Sequence, residues 1–139
     1  MNKRHLLLFC ATALSALIIP IAEGYTVITL GATHKGPRWE NFEYEHHSNV
    51  PRRAVEKRSL EGNSMEGGID PKIVLSTGRP GYFAVAVSTE QQARIVGWSG
   101  PLPNPEAATK EAIANCRKRG GVDPRIKVQW ADGVSGKKQ

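Results

Sequence analysis

Cysteine is scarce: the chain of 139 residues holds two, Cys10 and Cys116. So low a count excludes a disulfide-dense scaffold. Aromatic residues are only 6% of the chain, and 15 of its 55 apolar residues lie within Met1–Gly24. Beyond Gly24 that leaves 40 apolar residues in 115, near the low end for a globular chain. No apolar run reaches the ~20 residues a membrane-spanning helix needs. These shortages exclude a large enzyme, a multi-domain protein and a multi-span membrane protein. The glycine pairs Gly67-Gly68 and Gly120-Gly121 lack the strand-to-helix context and the lysine of a phosphate-cradling loop.

What the sequence does contain begins with an N-terminal address. Lys3, Arg4 and His5 form a basic region ahead of the apolar run Leu6–Ile19, which Pro20 breaks. Ala22 and Gly24 are small residues at the two positions a signal peptidase inspects. Residues 1–24 therefore read as a signal peptide cleaved after Gly24 or after Ala22, giving a secreted or periplasmic product and not an integral membrane protein. The mature chain would then carry one cysteine, Cys116.

Residues 25–71 are read as a mostly disordered linker, with a strand-like segment at Tyr25–Gly31 that could add an edge strand. From Thr33 to Pro71 only 9 of 39 residues are apolar, too few to offset chain ordering at ~1–2 kcal/mol per residue. From Lys72 to Asp132 the apolar count rises to 25 of 61. There Lys72–Ser76, Tyr82–Val87, Arg94–Ser99 and Ile126–Trp130 read as strands, with Tyr82–Val87 central because it is apolar on both faces. The best-marked helix starts with Asn104 as N-cap and Pro105 in the first turn, and ends at Arg117, Lys118 and Arg119 before Gly120. Ala108, Ala112 and Cys116 form its apolar stripe. The expected fold is α+β, a small, mostly antiparallel sheet of about four strands with one helix on one face, over residues 72–132. Residues 133–139 form a flexible basic tail.

Catalytic chemistry is hard to place. Beyond Gly24 the histidines are His34, His46 and His47, all in the stretch read as linker, so a base for Cys116 requires that stretch to dock. Burial on the helix stripe is the reading favoured for Cys116. Glu43, Glu45, His46 and His47 offer metal-ligating atoms within five residues, but adjacent histidines in an extended chain point apart. No catalytic, metal or cofactor-binding residue is assigned. Past Gly24, 17 basic residues stand against 12 acidic ones. The cations Arg117, Lys118, Arg119, Arg125, Lys127, Lys137 and Lys138 gather toward the C-terminus. Export argues against a nucleic-acid partner, leaving an anionic polymer, a lipid surface or an acidic protein.

The sequence Gly81-Tyr82-Phe83-Ala84-Val85-Ala86, a hairpin return ending in Gly97-Trp98-Ser99, the helix residues Ala107-Ala108, Ala112 and Asn115-Cys116, and the strand Lys127–Trp130 together resemble a bacterial exported domain family of unknown function. The resemblance covers Pro80–Asp132 and implies a small exported domain with no assigned reaction. Family members place a second cysteine shortly after the helix, where this chain has Gly120-Gly121-Val122-Asp123.

The expectation is an exported, non-enzymatic binding or interaction domain that needs no cofactor. Two alternatives stand beside it. One is a secreted precursor processed at the dibasic pair Lys57-Arg58. The other is an exported thiol hydrolase using Cys116.

Overall fold

Six strands and two helices run in the order β1 (Gly24–Ala32), β2 (Glu40–Ser48), α1 (Arg52–Met65), β3 (Ile69–Thr77), β4 (Gly81–Thr89), β5 (Arg94–Trp98), α2 (Pro105–Lys118) and β6 (Arg125–Asp132). The computed structural model describes residues 24–134 apart from Glu90 and Gln92. The segment read as a signal peptide, up to Glu23, and residues 135–139 of the basic tail lie outside the described residues.

The strands form two separate three-stranded antiparallel sheets, β2-β1-β3 and β5-β4-β6. This overturns the expected single sheet of about four strands with one helix. The region read as a disordered linker contains β2, α1 and the start of β3. Tyr25–Gly31 lies not at an edge but in β1, the centre of its sheet. Lys72–Ser76 falls in β3 and pairs with β1 rather than with Tyr82–Val87, so Thr77–Gly81 connects two sheets instead of closing a hairpin. The hairpin of β4 with β5 and the pairing of β4 with β6 do place Tyr82–Val87 at a sheet centre.

The sheets face each other. Ile28 from one and Val85, Val87 and Val96 from the other are buried together, with Leu30, Phe42, Tyr44, Trp98 and Trp130 around them. Strand alternation sends the intervening residues outward to a helix on each side. Ala84 and Ala86 meet Ala108, Ala112 and Cys116 of α2, while Thr29 meets Ser59 of α1. The layers are thus helix, sheet, sheet, helix.

Helix α2 forms for local reasons. The Asn104 side chain accepts the Ala107 N–H at 2.8 Å, Pro105 occupies the first turn, and Arg117 and Lys118 lie at the negative end. Helix α1 has none of these aids. Pro51 precedes it with no side-chain cap, and its buried residues are Val55, Ser59 and Asn63, only one of them apolar. Its contact with the sheet is a hydrogen-bond network. The Asn63 Nδ2 group donates to Thr29 O at 3.1 Å and to Asn41 O at 3.2 Å, and Asn41 Nδ2 donates back to Asn63 O at 3.3 Å. The Thr29 hydroxyl reaches Ser59 O at 3.1 Å. An apolar-periodicity test cannot register such a face, which is why α1 was read as linker.

The two halves repeat one another. Each is a strand, a second strand, a 14-residue helix and a third strand, with the first strand at the centre. Gly67-Gly68-Ile69-Asp70-Pro71-Lys72 after α1 matches Gly120-Gly121-Val122-Asp123-Pro124-Arg125 after α2. The backbone repeats as well. Gly67 and Gly120 have φ of 91° and 98°, and Asp70 and Asp123 have φ of 47° and 46°. Pairing with the third strand shifts register between Ile28 and Thr29 in one half and between Val85 and Ala86 in the other, which are equivalent positions. The described residues thus form two repeats of one ββαβ unit.

Candidate anion-binding clefts

The duplication sets two clefts at equivalent places, where the end of the central strand meets the starts of its two neighbours. One, of about 500 Å³, is lined by Val87 and Thr89 of β4, Arg94 of β5, Arg125, Ile126 and Lys127 of β6, and Trp39. The other, of about 550 Å³, includes Leu30 and Ala32 of β1, Glu40 of β2, Lys72 and Val74 of β3, Arg38, Arg119 and again Trp39. The strand pairings make Arg94 the counterpart of Glu40, Arg125 of Lys72, and Val87 of Leu30. Trp39 is the ridge the two clefts share.

Trp39 is delivered by the loop between β1 and β2. Thr33 N–H donates to Trp39 O at 3.0 Å and Trp39 N–H to Gly36 O at 3.3 Å, closing the loop on itself. Gly36 at φ 136° and Arg38 at φ 65° make the reversals this closure needs. Lys35 Nζ stands 5.7 Å from the Trp39 ring centroid, a cation over an aromatic face.

The first cleft is electrostatically one-sided. Arg94, Arg125 and Lys127 line it with no acidic residue among its lining groups. Among the described residues, no carboxylate lies within ion-pair distance of any of the three. Arg94 is half-buried, its guanidinium 5.6 Å from the Phe42 ring centroid. Burial pulls its pKa down from the usual arginine value, so its charge is incompletely solvated. A partly desolvated cation with no carboxylate paired to it among the described residues is a place where an anion gains from binding.

The second cleft differs because two acidic residues, Glu40 and Asp70, line it, and Glu40 is engaged. Both Glu40 oxygens bind the Arg119 guanidinium, at 2.7 and 2.8 Å. Glu40 also accepts the Val96 N–H at 2.9 Å. Arg119 additionally donates to Val96 O and lies 5.1 Å over the Trp98 ring. This pair ties β2 of the first half to the end of α2 in the second. Arg38 and Lys72 remain, with Asp70, as the other charged groups of that cleft.

The structure disperses the other residues singled out from the sequence. Arg119, Arg125 and Lys127 of the C-terminal cations reach the clefts, Arg117 and Lys118 sit at the exposed end of α2, and Lys137 and Lys138 lie outside the described residues. Cys116 is fully buried, donates its thiol to Ile95 O at 3.3 Å, and has its pKa raised by burial. His46 stacks 6.1 Å from the Tyr44 ring, while His47 bonds Glu45 at 2.8 Å on the opposite face of β2. Among the described residues, no three metal-ligating side chains converge. Glu43 turns toward α1, and burial, then repulsion from Glu66 and Glu45, raises its pKa against a lowering bond from the Tyr44 N–H. Lys57-Arg58 lies inside α1 between the buried Val55 and Ser59, so a protease would have to unwind the helix to reach it.

Arg94 and Trp39 were not singled out from the sequence. The repeated Gly-Gly-x-Asp-Pro-basic segment signals the equivalence of Lys72 and Arg125, but no local pattern marks Arg94 or Trp39. No family model, curated protein or solved structure matches the chain.

Proposed function

We propose that the chain is an exported, non-enzymatic binding domain that takes an anionic ligand in the Arg94 cleft. The observation that carries this reading is the convergence of Arg94, Arg125 and Lys127 in one cleft with no carboxylate lining it among the described residues. The basic N-terminal region and the apolar run after it support export. Thr89 offers a hydroxyl, and Trp39, Val87 and Ile126 offer apolar surface, so the cleft suits a ligand with both anionic and apolar parts.

Retention on an immobilised sulfated polysaccharide, eluted with a salt gradient, tests it. Arg94→Gln with Lys127→Gln should elute at clearly lower salt than the parent, because each lost contact with the polyanion lowers the salt slope. Arg53→Gln with Arg117→Gln removes the same charge from exposed helix positions and should elute close to the parent. An equal shift for both variants would mean that net charge alone governs binding.

A further inference from the structure

We infer that the ligand is a linear acidic glycan that crosses Trp39 and occupies both clefts at once. This rests on the anion-binding reading above and specifies its ligand. Two equivalent clefts sharing one ridge residue suit a ligand that is itself a repeat, because equivalent sites accept equivalent units. A compact anion such as a single phosphate would need only the Arg94 side.

The character of the lining selects a sugar polymer. Each cleft mixes cations with aliphatic side chains: Arg94, Arg125 and Lys127 with Val87 and Ile126, and Arg38 and Lys72 with Leu30 and Val74, the second also holding Asp70 and the paired Glu40. A uronate ring presents the same mixture, a carboxylate on a ring whose C–H face is apolar. Trp39, half-buried and lining both clefts, offers such a ring aromatic surface, and Lys35, which stands over one face of the indole, offers the carboxylate a cation. A polyphosphate chain has no apolar face to place against Trp39. The clefts are unequal in charge because Glu40 and Asp70 line only the second, so the Arg94 side binds first and the Lys72 side adds affinity when the chain is long enough.

The experiment is a titration of the protein with oligogalacturonates of increasing length, and with polyphosphate as a charged chain without sugar rings. Affinity should climb with oligogalacturonate length by about tenfold or more and then level off once both clefts are filled. Trp39→Ala should weaken the shortest binding oligomer and abolish that climb, and Trp39→Phe should restore much of both. Circular dichroism on each variant checks that the fold persists. Flat length dependence, or a Trp39→Ala variant that climbs like the parent, overturns the crossing path. Polyphosphate binding as tightly as the long oligogalacturonate, with no effect of Trp39→Ala, overturns the glycan while leaving the anion cleft standing. Failure of both polymers to bind, with Arg94→Gln indistinguishable from the parent, overturns the anion cleft itself.

Discussion

Asn63 and Cys116 hold the same place in the two halves of this chain. Each is the last buried residue of its helix. Each is also abutted by the second glycine of a Gly-Gly pair, Gly68 or Gly121, where an added Cβ would strike the side chain. One contact is polar and the other is not. Asn63 satisfies carbonyls of β1 and β2, whereas Cys116 packs among alanines and spends its thiol on Ile95 O. A duplicated unit has kept its shape while exchanging the chemistry of one helix–sheet layer.

Asn63→Ala should therefore be costly. It removes both bonds to the carbonyls of Thr29 and Asn41 and strands buried polar groups, at ~1–3 kcal/mol for each group left unsatisfied. Asn63→Asp should be worse, since it sets a carboxylate against those carbonyl oxygens. Urea unfolding measures both, and a loss below about 0.5 kcal/mol would mean the network does not hold α1.

Cys116 should react slowly with an alkylating reagent in the folded protein and quickly in denaturant, because burial raises its pKa and blocks access. Cys116→Ser should fold with a modest loss of about 1 kcal/mol, since the new hydroxyl finds Ile95 O already in place. Rapid alkylation of the native state would show that the end of α2 opens readily.

Gly97 and Gly100 are near in sequence and opposite in environment. A Cβ on Gly97 would collide with the backbone of α2 at Ala112 and Cys116, whereas one on Gly100 meets nothing within 4 Å. Gly97→Ala should destabilise by ~1–3 kcal/mol or more as the helix is pushed off the sheet. Gly100→Ala should stay within about 0.5 kcal/mol of the parent. Thermal unfolding of the pair decides, and equal effects would mean that α2 does not approach β5 this closely.

Glu43 gives a pH dependence whose sign can be worked out. Its folded pKa is raised, so the folded state holds the proton more tightly than the unfolded chain does. Its contribution is most favourable below the unfolded carboxylate value and declines as pH rises through the folded value. Glu43→Gln should thus be more stable than the parent near neutral pH, with the gain shrinking below about pH 4. Unfolding curves at several pH values test this, and a gain that grows in acid would reverse the assignment.

Much of the second half was legible in the sequence. Asn104, Pro105 and Gly120 marked the bounds of α2, and Ala108, Ala112 and Cys116 marked its buried face, because caps and helical spacing act over a few residues. The first half was not legible in the same way. Val55, Ser59 and Asn63 carry too little apolar surface to announce a buried face, and their partners Thr29 and Asn41 lie far away in sequence. Arg94 begins a strand and Trp39 lies in a stretch with few apolar residues, and neither carries a local pattern that marks a cleft.

The sequence by itself determined the elements whose signals are local: the strand Tyr82–Val87, its hairpin return, and α2 with both its ends. Only the tertiary structure decided that two sheets form, that β3 pairs with β1, that Glu40 holds Arg119, and that Trp39 stands between two equivalent clefts. The reason is that hydrogen bonds and ion pairs between distant residues have no period along the chain. They stabilise a layer only once the fold has brought their partners within about 3 Å and withdrawn them from water.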